Sequence, residues 1–319
     1  MLLALVLAAW GLRLPVALSN PLHPDEALYG YWGLLIGRGR DPWLVSVPAY
    51  KPPLLPYLTA GIQALMGASE LALRLPGLVA GISLVALTGA LARVLYGAQT
   101  MFLSAALVAL SPFAVLFSGT AFPDLPMVAL GLAGALAAAL DRPGWAGVWL
   151  GLSFAAKQTG VMWLPVVVWL LLQQDAPRGR TFGRLALTGA LAAGVVFAWD
   201  AARTVQGAGS FWQAGVTGYG GLRLIWPQEL WPRLRDWAGL ARNLFGFPVV
   251  TAVAIFGLPV LAWRGVRPSG RARCGLSDLL IAAFCMVYLL LHWLWAFPVW
   301  DRYLLPLVPM LSLGLGRLL

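Results

Sequence analysis

The sequence predicts an all-α integral membrane protein with about ten transmembrane helices and two surface helices in its first outer loop. Apolar residues make up 60% of the chain and charged residues only 11%, and the mean hydropathy is +0.80. Soluble domains are about half apolar and about one quarter charged, so this chain lacks the polar residues to cover a soluble surface. The same composition excludes an intrinsically disordered protein.

Ten apolar segments are candidates for the spans, since a transmembrane helix needs about 20 largely apolar residues. They cover residues 1–19, 70–96, 100–118, 124–140, 144–157, 160–174, 184–202, 245–264, 277–297 and 303–319. We expect the first to be retained, because it has no basic N-terminal region and holds Arg13 inside its apolar run. The fifth and sixth are short, which indicates a tilted or re-entrant pair.

The charges of the loops predict the orientation. Arginines cluster in the short loops 175–184 and 264–276, and short basic loops are typical of the cytoplasmic side. Both termini are then cytoplasmic, and the long segments 20–69 and 203–244 face outward together with most of the carboxylates. The net charge of +10 does not indicate nucleic-acid binding, because the basic residues lie in short clusters between apolar runs.

The first outer loop contains two motifs of interest. Asp25 and Glu26 lie at the start of a short amphipathic helix predicted over 26–37, where they either cap the helix or supply a general base. Lys51 is followed by two prolines, which stiffen the chain before a second surface helix over 54–67. This lysine is either an interfacial residue that snorkels or an anchored cation for a phosphate group.

Three later positions carry isolated charges near predicted helix ends. Asp124, the only charge of the loop 118–124, either caps the next helix or faces the first acidic pair across a cavity. Lys157 lies between two short helices, either at membrane depth or reaching the outer surface. Arg302 is either a boundary charge or a phosphate ligand, and the adjacent Tyr303 is a belt residue or a substrate contact.

The remaining signals concern the donor and metals. The long loop 203–244 is rich in arginine and tryptophan, which is typical of an aromatic belt over headgroups or of contacts with sugar and lipid phosphate. The sequence has neither a P-loop nor a dinucleotide-binding glycine motif, so the donor of a transferase would come from the membrane. We expect no metal site, because His23 and its acidic neighbours form only a weak ligand pattern.

The motifs, taken in order, resemble the C-type glycosyltransferases that use polyprenyl-phosphate sugars. The relevant branch contains the protein O-mannosyltransferases and the bacterial aminoarabinose transferase of lipid A. The resemblance runs from residue 1 to about residue 310, with agreement in order and spacing. It rests on the strings HPDEALYGYW, YKPPLLPYL, SELALRLPGLVAG, SGTAFPDLPM, GLSFAAKQTG and DRYLLPLVP.

The resemblance implies roles for individual residues. Asp25 matches the catalytic base, Glu26 its companion, and Asp124 the acidic residue of the second outer loop. Lys51 matches a lysine that meets the donor phosphate. The other expected substrate contacts are cationic or aromatic: Lys157, Arg302, Tyr29 and Tyr303.

The implied activity is transfer of a hexose or pentose, with inversion, from a polyprenyl-phosphate carrier to a hydroxyl or phosphate group, without a cofactor. The acceptor is a glycan, lipid or protein at the outer face of a bacterial plasma membrane. Family members usually continue with further helices and a soluble part, whereas we expect residues 1–319 to form one multi-pass catalytic domain without a soluble C-terminal domain. The alternatives are a polyprenyl-lipid flippase and a non-catalytic subunit of a glycosylation complex.

Overall fold

The computed structural model describes residues 2–47, 50–174, 178–218, 223–267 and 272–319, and these residues form an all-helical fold. Their single β-type contact is an isolated antiparallel bridge between Leu224 and Trp295. The predicted fold class is therefore confirmed. Residues 175–177 and 268–271, which belong to the two predicted cytoplasmic loops and include Arg271, lie outside the described residues.

In the first half of the chain the described residues form nine α-helices and one 3-10 helix, which lies at Gln158–Trp163. The α-helices are α1 (Leu2–Ser19), α2 (Pro24–Gly37), α3 (Leu54–Met66), α4 (Glu70–Tyr96), α5 (Ala98–Leu110), α6 (Pro112–Ser118), α7 (Asp124–Ala139), α8 (Pro143–Ala156) and α9 (Leu164–Leu172). Helices α2 and α3 are the two predicted surface helices.

The second half continues with α10 (Arg178–Val205), α11 (Phe211–Gly218), α12 (Leu230–Ala241), α13 (Pro248–Phe256), α14 (Leu258–Val266), α15 (Ala272–Leu294) and α16 (Leu307–Leu318). Short 3-10 helices at Pro227–Glu229 and Asp301–Leu304 precede α12 and α16. The predicted long outer loop is therefore largely helical where the structure describes it.

The chain is a multi-pass membrane protein, but the predicted count of ten spans is not confirmed. Within the described residues five helical segments are long and apolar enough to cross a membrane, or six if the bent pair α5–α6 is one span. The segments are Leu2–Ser19, Glu70–Tyr96, Gly183–Val205, Pro248–Val266 and Cys274–Leu294. The other predicted spans are helical but short; α7, for example, has 16 residues. At about 1.5 Å per residue such a helix is shorter than a hydrocarbon core of about 30 Å, so it crosses the core only where the bilayer thins locally.

The helices divide into two compact units. The first unit comprises Met1–Trp10, Ser83–Val115 and Leu222–Leu319, and the second comprises Gly11–Ile82 and Leu116–Gly221. The predicted acidic residues and both lysines belong to the second unit, whereas Arg302 and Tyr303 belong to the first. The expectation of a single domain over 1–319 stays a prediction.

Close helix packing holds the second unit together. The surface helices meet where Gly33 of α2 faces Thr59 of α3; a Cβ atom at Gly33 would lie 2.8 Å from the threonine methyl group. An apolar cluster then joins both helices to α4 and to the loop before α7, and it consists of Tyr29, Trp32, Leu44, Leu55, Leu73 and Ala121. Small residues let helix backbones approach closely in membranes, so this packing sets the position of the segment 20–69.

Gly77 of α4 lies against the loop that precedes α7. A Cβ atom at Gly77 would collide with the carbonyl oxygen of Thr120, whereas a Cβ atom at Gly61 of α3 would meet nothing within 4 Å. We expect Gly77→Ala to lower the free energy of unfolding by about 1–3 kcal/mol through overpacking. The measurement is thermal unfolding of the protein in detergent. The matched control Gly61→Ala should be neutral or stabilising by about 0.5–1 kcal/mol, and equal effects of the two substitutions would contradict this packing.

Candidate active site

At the start of α2 the two candidate carboxylates, Asp25 and Glu26, have different partners. His23 is the N-cap residue, and Pro24 occupies the first helical position, where its missing N–H is no loss. The carboxylate of Glu26 accepts a hydrogen bond from the His23 N–H at 2.9 Å and so completes a capping box. Capping therefore accounts for Glu26, whereas the Asp25 carboxylate points to another partner.

Glu26 also lies at the centre of a buried polar network. Its Oε1 atom accepts hydrogen bonds from the Ala121 N–H at 2.6 Å and from Arg74 Nε at 3.3 Å, and both charged side chains are at most 1% exposed. Arg74 Nη1 also donates a hydrogen bond to the carbonyl oxygen of Ala17, at 3.0 Å. One ion pair thus connects α1, α2, α4 and the loop before α7.

Asp25 pairs with Lys51. The Lys51 Nζ atom lies 3.3 Å from Asp25 Oδ1, and the side chains of Asp25 and Lys51 are 30% and 11% exposed. The ammonium lies 4.9 Å from the ring centre of Tyr29 and 5.6 Å from that of Tyr50. Two electron-rich ring faces therefore help to hold the cation, which gives Tyr29 a place beside the predicted phosphate ligand.

Tyr50 is neutral at physiological pH. Burial raises the pKa of its phenol, and the negative charge of Asp25 raises this pKa further. The neutral tyrosine therefore packs beside Lys51 without adding a charge to this corner of the site.

A second ion pair joins Asp124 and Lys157. Lys157 Nζ lies 2.5 Å from Asp124 Oδ1, with exposed side-chain fractions of 12% and 2%. Asp124 is the first residue of α7, and the N-cap position belongs to Pro123, so Asp124 is not the N-cap residue of this helix. Lys157 has an extended backbone between α8 and the following 3-10 helix, at the break between the two short predicted spans.

Two side-chain contacts link the segments that carry these ion pairs. Gln158 Nε2 donates to the carbonyl oxygen of Tyr50 at 2.9 Å, so the residues next to the two lysines are bonded to each other. On the opposite side the His23 ring meets the Phe122 ring edge-on at 5.2 Å. The second unit thereby assembles two lysine–aspartate pairs from four segments that are distant in sequence.

Asp41 orders the chain that leads to Lys51. Its carboxylate accepts hydrogen bonds from the N–H groups of Val45 and Ser46, both at 2.8 Å. Burial alone would raise the pKa of Asp41, but these bonds and one from the Ser46 hydroxyl lower it overall. Arg203 fixes the same turn by donating to the carbonyl oxygens of Trp43 and Leu44 at 3.0 and 3.1 Å.

Arg302 and Tyr303 are described within the first unit. The Arg302 guanidinium lies 4.2 Å from the ring centre of Trp300, and the Arg302 N–H donates to Asp301 Oδ1 at 2.8 Å. The carbonyl oxygen of Tyr303 accepts from the Tyr288 hydroxyl at 2.6 Å. Their predicted contacts with substrate stay predictions.

Sequence reasoning missed Arg74, Gln158 and Tyr50 as parts of the site. A signal for Arg74 existed, since an arginine inside the apolar run 70–96 requires a partner in the protein. Gln158 and Tyr50 carried no such signal, because each matters only through the fold that brings it to the other. Among the described residues no three His, Cys, Asp or Glu side chains come together in a metal-binding arrangement.

The buried pair of Glu26 and Arg74 generates a stability prediction. Arg74→Met leaves the carboxylate of Glu26 buried without its cation, which typically costs about 3–5 kcal/mol. We expect the double variant Arg74→Met/Glu26→Gln to recover part of that loss, because no charge is then stranded. The measurement is a double-mutant cycle by thermal unfolding in detergent. Strictly additive losses would show that the two side chains do not interact.

Comparison with known proteins places this site in context. Residues 50–199 match the sequence model described as dolichyl-phosphate-mannose-protein mannosyltransferase. No curated protein sequence matches the chain significantly.

Solved structures resemble the fold over nearly the whole chain. ArnT from Cupriavidus metallidurans in the apo state gives a TM-score of 0.73 at 18% identity, over 99% of this chain and 58% of that one. The structure of ArnT bound to undecaprenyl phosphate gives the same values. AglB, the oligosaccharyltransferase of Archaeoglobus fulgidus in complex with an inhibitory peptide and a dolichol-phosphate, gives 0.62 at 13% identity, over 98% of this chain and 50% of that one.

The chain thus spans about half the length of these relatives or slightly more. The expected resemblance is confirmed: the chain has the C-type glycosyltransferase fold, and over residues 50–199 it carries the sequence pattern of the dolichyl-phosphate-mannose-protein mannosyltransferases.

Proposed function

We propose that the protein is a glycosyltransferase that moves a sugar from a polyprenyl-phosphate carrier to a hydroxyl or phosphate group of an acceptor. The observation that carries the proposal is the Asp25–Lys51 pair at 3.3 Å with the Asp124–Lys157 pair in the adjoining loops. Such a site supplies a base for the acceptor and cations for the leaving phosphate. ArnT and AglB, which share the fold, have been solved with undecaprenyl phosphate and with a dolichol-phosphate, and this supports the class of donor.

The reaction is a single displacement with inversion. Asp25 takes the proton of the acceptor hydroxyl, whose oxygen attacks the anomeric carbon of the donor. A new glycosidic bond forms, and the bond between the anomeric carbon and the phosphate oxygen breaks, so that the polyprenyl phosphate leaves with the electron pair. A positioned base contributes about 10²–10⁴-fold to such a step.

Lys51 links the proton transfer to Asp25 with the departure of the polyprenyl phosphate. In the free site the ammonium of Lys51 faces the carboxylate of Asp25. As Asp25 becomes protonated it loses its negative charge, while the leaving phosphate gains one, and Lys51 then follows the charge to the phosphate. The stabilisation grows toward the transition state, which is the condition for catalysis. One such contact is worth roughly 3–4 kcal/mol if it acts like an oxyanion-hole donor.

We assign Lys157 and Asp124 to the same phosphate pocket. Lys157 adds a second cation, and Asp124 holds that cation in place through an ion pair that is almost fully buried. Arg302 of the first unit, with Tyr303 beside it, stays a predicted substrate contact from the sequence. Tyr29 supports Lys51 through its ring face.

Glu26 acts in this proposal as a positioning residue rather than as a second base. Its carboxylate is 1% exposed and accepts hydrogen bonds from three groups, which leaves it no access to an acceptor. It fixes the start of α2, from which Asp25 projects, relative to the loop that carries Asp124.

The membrane geometry completes the proposal. We place the site at the outer face of a bacterial plasma membrane, with the segments 20–69 and 203–244 outside and both termini inside. The donor then reaches Lys51 sideways from the bilayer, and the acceptor approaches from the aqueous side.

Removal of the base tests the chemistry. Asp25→Asn should lower the turnover number by at least about 10²-fold and leave the affinity for undecaprenyl phosphate within a few-fold, because the amide accepts no proton. Product formation is measured by mass spectrometry of envelope glycans from a deletion strain that carries the variant. Binding of undecaprenyl phosphate is measured on the purified protein in detergent. Asp236→Asn is the control, since this exposed carboxylate lies on α12 and forms an ion pair with its neighbour Arg235. Equal loss of turnover and binding would assign Asp25 a structural role instead.

Removal of the cation tests donor binding. Lys51→Ala should weaken binding of undecaprenyl phosphate about tenfold or more, because a hydrogen bond to a charged group is worth about 1.5–3 kcal/mol. Lys51→Arg should recover part of the affinity but little turnover, since a broad guanidinium replaces a compact ammonium. Unchanged glycosylation in cells that carry Lys51→Ala would favour a non-catalytic subunit. Carrier movement without a new glycosidic bond would favour a flippase.

A further inference from the structure

Helix α12 contacts the C-terminal end of α15, a candidate membrane span of the first unit. Arg233 Nη2 donates to the carbonyl oxygens of His292 at 2.8 Å and Trp295 at 2.7 Å, and Trp237 Nε1 donates to that of His292 at 2.9 Å. These carbonyl groups belong to the C-terminal end of α15, where intrahelical partners are lacking. The amphipathic α12 is therefore fixed at the level where α15 leaves the apolar part of the bilayer.

A cavity of about 450 Å³ opens between α12, α13 and α15. Its size falls within the range of about 300–1,000 Å³ that small-molecule sites occupy. Apolar groups form nearly all of the wall, among them Leu234, Trp237, Ile255, Leu289 and Trp293. The polar lining residues are Arg242, Thr251 and the buried His292.

The lining residues show that the cavity is elongated along the helices. On α13 they are Pro248, Thr251, Ala252, Ile255 and Phe256, which form one face of the helix. Eight residues separate the first from the last of them, which corresponds to about 12 Å of helix. Because α13 begins the span Pro248–Val266, the cavity leads from the membrane boundary into the apolar layer.

The boundary end of the cavity carries a positive charge. Arg242 is the C-cap residue of α12, it is exposed, and it lines the cavity together with Ala238 one turn before it. The described carboxylates form no ion pair with Arg242. Arg235, two turns earlier on α12, is 75% exposed, pairs with Asp236 and does not line the cavity.

We propose that this cavity is a binding site for an anionic phospholipid of the bilayer, with one acyl chain between α12, α13 and α15 and the phosphate at Arg242. The wall matches a hydrocarbon chain, and the exposed guanidinium at the boundary matches a headgroup phosphate. Since lipid tails are as apolar as the wall, the cation and not the chain selects the lipid. The bound lipid wedges α12 against the span and leaves the catalytic residues untouched.

Lipid retention tests this site independently of sugar transfer. The full chain is purified in detergent after incubation with vesicles of phosphatidylcholine that contain phosphatidylglycerol, and bound lipid is counted by native mass spectrometry. We expect one retained phosphatidylglycerol per chain. Arg242→Gln should reduce its retention about tenfold, as expected for loss of one charged hydrogen bond. Ala252→Trp, which fills the cavity, should abolish retention.

Two matched controls distinguish lipid binding in the cavity from lipid binding at the protein surface. Arg235→Gln removes the same charge from the same helix outside the cavity, and Val249→Trp adds the same bulk at a position of α13 that is 73% exposed. Both should retain the lipid like the unmodified protein. Equal retention of phosphatidylcholine, equal effects of the two arginine substitutions, or no retained lipid would overturn the proposal. Preferential retention of added undecaprenyl phosphate that Ala252→Trp abolishes would also overturn it, because the occupant would then be the sugar carrier.

Discussion

The ion pair of Glu26 and Arg74 is the interaction on which the site depends. It is buried, and it joins the start of α2, the first turns of α4 and the loop before α7 through hydrogen bonds of 2.6–3.3 Å. A charge in this setting is tolerated only with a partner, and removal of Arg74 would leave the buried carboxylate of Glu26 without its cation in a medium of low polarity. The requirement for mutual neutralisation thus fixes the start of α2, from which Asp25 projects, and the loop that leads to Asp124 at the start of α7.

The same requirement explains the two lysines. They are the only lysines among 22 basic residues, and each forms an ion pair with one candidate carboxylate. A site that holds its cations against carboxylates is electrically balanced before the donor arrives. In the proposed reaction this balance is kept, since proton transfer to Asp25 releases Lys51 as the phosphate gains charge. In this proposal the Asp25–Lys51 ion pair is a structural contact that also holds the lysine in place until the phosphate binds it.

Much of the fold and part of the site could be predicted from the sequence. Apolar runs of the right length predicted the helical segments, and the prolines after Lys51 together with the acidic pair predicted the two surface helices.

The number of spans could not be predicted, because apolar composition does not show whether a short helix such as α7 crosses the bilayer. The choice between capping and catalysis for Asp25 and Glu26 was equally open. The two adjacent residues have the same chemistry, and only the fold shows that Glu26 caps α2 while Asp25 reaches Lys51. Gln158 and Tyr50 were beyond reach, since nothing local to either residue indicates a partner about one hundred positions away.

The most direct test of the central claim is an experimental structure of the protein with undecaprenyl phosphate bound. The account predicts that the phosphate lies within about 4 Å of Lys51 Nζ, the separation of an ion pair, with Asp25 released from the lysine and open to the aqueous side. A phosphate bound away from Lys51, with the Asp25–Lys51 pair intact in the complex, would contradict it.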